Sequence, residues 1–166
     1  MLRKTINLSK KDLTNGLIFI EVISLGYHEV YVNGVKVGEH VLQPAVSQLD
    51  KRSLGITYSI THLLHKGENE IMLWLGQGWG RVYGTPAVAA AVVTYKDIFR
   101  GKKFDKDIAI TDDTWETSPS GYSYTGSWQP LQFGGERFDA RVQPDWRPLQ
   151  RGNRLYAQPA LQHVEG

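Results

Sequence analysis

Apolar residues along this chain recur mainly at every second position, in short runs separated by glycine, proline and small polar residues. Between Tyr27 and Val32, His28, Val30 and Val32 share one face, and Tyr27, Glu29 and Tyr31 the other. After Asn33-Gly34, Val35 and Val37 alternate with Lys36. A type I′ turn needs positive φ at both central residues, and Asn-Gly meets that need best, so this stretch predicts a β-hairpin. Leu17 to Ser24 sets Ile18, Ile20 and Val22 against Leu17, Phe19 and Ile23, interrupted by Glu21, and predicts a largely buried strand. Arg3–Leu8, Ile56–Ile60, Asn69–Leu75 and Phe104–Ile110 read as further strands, and a last one lies within Leu131–Arg141. Ala87 to Tyr95 is alanine-rich, but Pro86 ahead of it and the run Val92-Val93-Thr94-Tyr95 favour a central strand over a helix.

The interruptions are as informative as the runs. Ser9 to Gly16 is a polar turn, and Val41 to Gly55 a long loop of the kind that is functional or packed over something. Thr61 is placed to N-cap one helical turn, stopped by Gly67. Gly76 to Gly84 alternates four glycines with Trp, Tyr, Arg and Gln, a composition that allows a tight turn or close approach by a ligand. From Trp146 onward Pro, Gln and Arg occur without periodicity. The pattern predicts an all-β, jelly-roll-like sandwich of antiparallel strands with one short helical turn. Residues 1–146 form the sandwich domain, and 147–166 a linker or arm toward a following domain.

Composition narrows the chemistry. The 166 residues include no cysteine, which excludes disulfides, thiolate metal sites and a Cys nucleophile. The net charge of +2 comes from scattered basic pairs, not a stripe, which argues against a nucleic-acid surface. The longest apolar run, Ala87 to Val93, is too short to span a bilayer, so no membrane partner is expected. Arg3 and Lys4 are not followed by an apolar segment, so no signal peptide is visible in this chain.

No phosphate-binding loop, dinucleotide fingerprint, His-Glu-x-x-His or Gly-x-Ser-x-Gly motif occurs. His62 and His65 could share a helical face, but a zinc pair lacks a third ligand, and solvated histidines are the simpler reading. Asp112, Asp113, Glu116, Glu136, Asp139 and Asp145 have the residue type for glycoside hydrolysis, yet no spacing marks a catalytic pair. Asp112-Asp113 read as turn formers, and Arg137, Asp139 and Arg141 as an ion-pair ladder on one strand face. Five tryptophans and eight tyrosines offer rings that can stack on sugars, with Trp79 and Tyr83 of the glycine-rich loop foremost. Taken singly, Trp79 and Trp115 read better as plugs at the ends of the sandwich, whereas the glycines of the whole Gly76–Gly84 loop favour contact with a ligand or partner.

The segment Leu25-Gly26-Tyr27-His28-Glu29-Val30-Tyr31-Val32-Asn33-Gly34 with Val37-Gly38 resembles the N-terminal β-sandwich module of bacterial α-L-rhamnosidases. The resemblance continues in order through Thr57-Tyr58-Ser59-Ile60-Thr61-His62-Leu63-Leu64-His65-Lys66-Gly67-Glu68-Asn69 and Leu75-Gly76-Gln77-Gly78-Trp79. It ends with Thr111-Asp112-Asp113-Thr114-Trp115 and Gly135-Glu136-Arg137-Phe138-Asp139-Ala140-Arg141. It implies a piece of a large inverting glycoside hydrolase whose catalytic carboxylates lie in a separate (α/α)6 barrel, so that this chain alone is not expected to hydrolyse a substrate. It also implies a parent that is periplasmic or extracellular.

Some modules of this type bind L-rhamnose through a calcium ion held by loop oxygens. Where that loop reads close to Pro-Gly-Trp-Thr-Asp-Tyr in the family, this chain has Pro44-Ala45-Val46-Ser47-Gln48-Leu49 and then Asp50. Asp50 is the candidate calcium ligand, and Asp50, Gln77, Trp79 and Tyr83 are the candidate carbohydrate-binding residues; no residue is assigned a catalytic role. Two readings follow: an accessory domain packed against the catalytic domain of the same parent chain, or an autonomous module for L-rhamnose and rhamnose-containing glycans. They differ in whether the loops Gln43–Lys51 and Gly76–Gly84 form a protein interface or a ligand pocket.

Overall fold

The computed structural model describes residues 1–78, 87–125 and 135–149. Twelve strands are defined among them: β1 (Leu2–Leu8), β2 (Gly16–Leu25), β3 (Tyr27–Val32), β4 (Val35–Lys36), β5 (Gly55–Ser59), β6 (Gly67–Gly76), β7 (Val88–Asp97), β8 (Lys106–Ile110), β9 (Glu116–Thr117), β10 (Tyr122–Tyr124), β11 (Glu136–Phe138) and β12 (Arg147–Pro148). Six form one sheet in the order β12-β9-β1-β6-β3-β4, four form a second in the order β5-β2-β7-β8, and β10-β11 make a separate hairpin. The pairings between these strands are antiparallel. The chain is an all-β sandwich, as the two-residue periodicity predicts.

The core is where alternation from both sheets meets. Ile18, Ile20 and Val22 of β2 and Ala89, Ala91 and Val93 of β7 point inward from one sheet. Val30 and Val32 of β3, Ile71 and Leu73 of β6, and Leu2, Ile6 and Leu8 of β1 point inward from the other. Burying one such aliphatic side chain is worth about 1.5–3 kcal/mol, so this shared face carries most of the driving force for folding. β2 has only one fully buried face: Leu17 and Glu21 on the other are exposed, which corrects the expectation of a largely buried strand. The alanine-rich segment is a strand, central in its sheet between β2 and β8.

The Asn33-Gly34 turn has the two positive φ values, 52° and 80°, that a type I′ turn demands. Its outgoing arm is only two residues long, and Val35 there is exposed. The Asn33 side chain does more than permit the turn. It donates to the Leu63 carbonyl (2.8 Å) and to Asn69 Oδ1 (2.9 Å), and accepts the Glu70 N–H (2.9 Å). The buried Asn69 in turn ties the His65 amide and the His65 and Gly67 carbonyls. The Asn-Gly and Gly-Glu-Asn signatures are thus two halves of one polar lock.

Two local expectations are corrected. Thr61 opens a 3-10 turn (Thr61–Leu63) as its first residue, while Ile60 is the N-cap. The Thr61 hydroxyl is committed to β2 instead, accepting the Ile18 N–H at 2.7 Å and donating to the Ile18 carbonyl at 3.2 Å. Asp139 and Arg141 pair at 2.7–2.8 Å within a turn after β11, so they are not a ladder along a strand face. Arg147–Pro148 pairs with β9, and Leu149 packs on the core with its N–H on the Trp115 carbonyl (2.8 Å).

Candidate functional site

The β2–β3 bend, the exit of β6 and the long loop after β4 meet at one end of the sandwich. Tyr27 pairs with Gly76, His28 pairs with Leu75, and His28 also bridges to Gln43. The meeting is tight enough to require glycine. Gly26 has φ +107°, and a Cβ there would stand 2.3 Å from the Gly76 carbonyl oxygen. Gly78 has φ +48°, and a Cβ there would stand 2.8 Å from the Tyr27 ring. The Gly76-Gln77-Gly78 backbone therefore lies directly against the Gly26–Tyr27 bend, with Gln77 half-buried.

Beneath this junction runs a polar chain, buried at Ser24 and His28 and half-buried at Tyr58 and Gln43. Ser24 Oγ lies 2.7 Å from His28 Nδ1, His28 Nε2 lies 3.0 Å from the Tyr58 hydroxyl, and that hydroxyl donates to Gln43 Oε1 at 2.8 Å. Gln43 Oε1 can only accept, so the Tyr58 proton is committed to it. His28 Nε2 must then carry the hydrogen shared with Tyr58, and the Ser24 proton goes to Nδ1 at 2.7 Å in preference to the Gly26 carbonyl at 3.3 Å. The imidazole is neutral in this arrangement. Burial pushes its pKa down to about 4, in keeping with an exposure of only 3%. The Tyr58 hydroxyl is held above its ordinary range, first by burial and then by the Glu29 charge. The relay joins β2 and β5 of one sheet, β3 of the other, and the loop.

That loop is consequently well fixed. The His28 N–H donates to the Gln43 carbonyl at 2.7 Å, Pro44 is buried behind a cis peptide, and Ser47 Oγ donates to the Arg52 carbonyl at 2.9 Å. The Gln48 carbonyl accepts both the Lys51 and Arg52 amides at 2.8 Å. Yet the loop turns apolar groups outward: Val41 and Leu42 are each 66% exposed and Val46 58%. Leu42 also sits at φ +58°, a conformation that a leucine adopts at a cost of roughly 1–2 kcal/mol.

Of the sequence-derived candidates, Asp50 and Gln77 are described and Trp79 and Tyr83 lie outside the described residues. Asp50 is exposed on the turn that Gln48 closes, between Leu49 and the cations Lys51 and Arg52. Calcium takes about six to eight oxygens, usually with several carboxylates. Asp50 is the only acid between Val41 and Gly55, and no group of three His, Asp or Glu side chains among the described residues could hold a metal. The donors among the described residues are fewer than a calcium cage takes.

Several of the other candidates have structural settings. His62 is exposed, and His65 Nδ1 lies 3.0 Å from the Lys66 carbonyl. Asp112 takes the hydroxyl and N–H of Thr114, which hold its carboxyl below the usual range. Trp115 is fully buried with its Nε1–H on the Ile110 carbonyl at 2.9 Å, a plug of the core. Part of the aromatic excess goes into a ladder in which Tyr31, Trp74, Tyr122 and Phe138 follow one another at 5.9, 5.7 and 4.7 Å between ring centroids. It lays the β10–β11 hairpin over the outer face of β3 and β6. Sequence reading missed the relay, although two polar residues, Ser24 and His28, at inward positions of otherwise apolar strands were a signal for it.

The family described as the alpha-L-rhamnosidase N-terminal domain matches residues 17–157 of this chain. A curated alpha-L-rhamnosidase from Formosa agariphila is 34% identical over 161 residues, which cover 87% of this chain and 15% of that protein. The structure of an alpha-L-rhamnosidase from Dictyoglumus thermophilum superposes with a TM-score of 0.68 at 24% identity, over 84% of this chain and 15% of that one. The alpha-L-rhamnosidase of Streptomyces avermitilis complexed with L-rhamnose gives a TM-score of 0.60 at 19% identity, over 89% and 16% of the two chains. These structural likenesses concern the fold. The chain spans about one seventh of the length of the relatives it matches.

Proposed function

This chain belongs to the family of alpha-L-rhamnosidase N-terminal domains, and from that premise we propose that it is a non-catalytic accessory domain which packs its relay-held loop against the catalytic part of an α-L-rhamnosidase. One observation carries the reading: Val41, Leu42 and Val46 are exposed on a loop whose backbone is fixed from within. Aliphatic side chains cannot stack on a sugar ring as aromatic ones do, and they do not bond its hydroxyls. An apolar surface held rigid in advance is suited to a protein partner, since little ordering remains to be done on contact. The neighbouring Gln77 then borders the same interface, where it can contribute to recognition of a rhamnose-containing substrate.

The test uses Val41→Ser/Leu42→Ser/Val46→Ser in two settings. In the isolated chain the triple variant should unfold at the same urea concentration as the parent sequence. In the full-length enzyme it should separate the unfolding of this domain from that of the rest and lower activity on an aryl α-L-rhamnoside. Unchanged unfolding and activity in the full-length enzyme would overturn the reading. Calorimetric titration of L-rhamnose into the isolated chain, with calcium and then with chelator, examines the alternative. Saturable binding abolished by chelator would make the chain an autonomous sugar-binding module; no heat in either condition is the outcome expected here.

A further inference from the structure

At the other end of the sandwich, the turn between β7 and β8 combines two features that no fold requirement explains. Its apex is apolar and bare: Ile98 is 57% exposed and Phe99 75%. Its flanks are basic. Lys96, Arg100, Lys102, Lys103 and Lys106 lie within eleven residues, and the ion pair of Lys106 with Asp12 brings the exposed Lys10 and Lys11 alongside. We propose that this turn is a docking point for an anionic bilayer surface, against the expectation of no membrane partner. That expectation rests on the lack of a run long enough to span a bilayer and does not bear on a tip that only touches its surface.

The seven cations Lys10, Lys11, Lys96, Arg100, Lys102, Lys103 and Lys106 face four carboxylates at this end, Asp12, Asp97, Asp105 and Asp107, which leaves the basic residues in excess. The Asp97 side chain is fully buried; its Oδ1 accepts the Phe99 and Arg100 amides at 3.0 and 2.7 Å, and its Oδ2 holds the Arg100 guanidinium at 2.7–2.8 Å. Asp105 accepts the Asp97 N–H at 3.0 Å, Asp107 accepts the Thr94 hydroxyl at 3.0 Å, and Asp12 is taken by Lys106 and Ser9. Among the described residues Lys10, Lys11 and Lys102 pair with no carboxylate. The turn is also preformed. Asp97 fixes its first half, and the Phe104 and Asp105 amides close its second half on the Gly101 and Lys102 carbonyls, both at 3.0 Å. Arg100 and Lys103 flank the Phe104 ring at 4.4 and 5.0 Å, so their charge stays beside the apolar apex.

A rigid tip that offers an aliphatic and an aromatic side chain inside a ring of lysines matches a surface that is anionic at headgroup level and apolar a few ångströms deeper. An acidic polysaccharide would use the lysines but leave Ile98 without a partner, because its hydroxyl-rich chain has no apolar layer for an aliphatic group. An acidic protein surface would need a matching apolar pocket, whereas a bilayer adapts to the tip. The proposal does not rest on the rhamnosidase reading, because it concerns the opposite end of the domain and a different partner.

The experiment is co-sedimentation of this chain with large unilamellar vesicles, either pure phosphatidylcholine or with a third of the lipid replaced by phosphatidylglycerol. Binding is expected to the anionic vesicles only and to weaken with added salt. Lys102→Ala/Lys103→Ala should lower the partition coefficient roughly 30-fold, at about 1 kcal/mol per lysine near an anionic surface. Ile98→Ser/Phe99→Ser should lower it tenfold or more while circular dichroism and the urea midpoint stay unchanged, since both residues are exposed. No binding to anionic vesicles overturns the proposal. Binding that is indifferent to Ile98→Ser/Phe99→Ser also overturns it, because that would be adsorption of a basic protein by charge alone. Retention on an acidic polysaccharide or an acidic protein, lost in the same serine variant while vesicles are ignored, would assign the turn to that partner instead.

Discussion

The two ends of this sandwich hold their loops by opposite electrostatic means. At one end a neutral imidazole, His28, is buried between two hydroxyls, and the Gln43 loop hangs from it. At the other a buried carboxylate, Asp97, gathers two backbone amides and a guanidinium, and the β7–β8 turn hangs from that. Both ends expose apolar side chains on fixed backbone. The means differ in what acid does to them. Protonating His28 creates a charge where none can be solvated, whereas Asp97, held below its ordinary range chiefly by the Arg100 amide and then by the Arg100 side chain, keeps its charge until the pH is lower still. The first end is therefore expected to respond to mild acid before the second.

The largest expected effect comes from removing the group on which the first end depends. His28→Ala takes away a buried ring and leaves Ser24 and Tyr58 without their shared partner. It should cost about 3–4 kcal/mol, the sum of a cavity and an unsatisfied buried polar group. Urea unfolding at pH 7 checks this as a lower midpoint with the same slope. A loss below about 1 kcal/mol would mean that the relay is incidental and that the two ends are not distinguished by it.

Acid should reproduce part of that loss in the unmodified chain. The His28 pKa is about 4 in the folded chain against 6.5 when unperturbed, so the unfolded state binds more protons between those values. The contribution is therefore fully present above pH 6.5 and is lost as the pH falls toward 4, by at most roughly 3 kcal/mol. Urea midpoints between pH 7 and 4.5 should fall accordingly, and His28→Phe should flatten the slope. Hydrogen exchange sharpens the comparison: over this range the His28 amide should lose protection before the Phe99 and Arg100 amides. In Asp97→Asn the order should reverse at neutral pH, with the two turn amides exchanging faster and the pH slope of stability unchanged.

A smaller effect is expected from Tyr58→Phe, which keeps the ring edge on His28 but removes the link to Gln43. It should cost about 1 kcal/mol and loosen the loop without unfolding the sheets, read as faster exchange at the His28 amide that bonds the Gln43 carbonyl.

The strands were legible because alternation is a local property: Ile18, Ile20 and Val22 declare their shared face within five residues, and Asn33-Gly34 declares its turn in two. Ala87–Tyr95 was legible because β-branched residues and Pro86 outweigh alanine's helix preference. The relay was not, because Ser24, His28, Gln43 and Tyr58 are separated by up to 34 positions and meet only once two sheets face each other. Thr61 misled for the same reason: its local preference for capping lost to a distant backbone pair on Ile18. Trp79 and Tyr83 lie outside the described residues, so of the proposed sugar-facing group only Asp50 and Gln77 have a described setting, one on an exposed turn and one half-buried against the Gly26 bend.

The smallest effect isolates what the loop end gives up in holding its shape. Leu42 occupies φ +58° with its side chain largely exposed, so its strain is balanced by no buried contact among the described residues. Glycine removes a penalty of roughly 1–2 kcal/mol at such a position but adds about 0.5–1 kcal/mol of backbone entropy to the unfolded state. Leu42→Gly should therefore stabilise the isolated chain by up to about 1.5 kcal/mol, seen as a higher urea midpoint at unchanged slope. No apolar turn at the opposite end carries a comparable strain: Ile98 and Phe99 are absent from the left-handed residues, and the positive φ there falls on Gly101. Ile98→Gly should accordingly give no gain. If Leu42→Gly stabilises the isolated chain yet weakens docking of this domain in the full-length enzyme, the leucine is retained for its contact. If it destabilises the isolated chain, Leu42 has a folding role inside the domain, and the asymmetry between the two ends is smaller than their exposed side chains suggest.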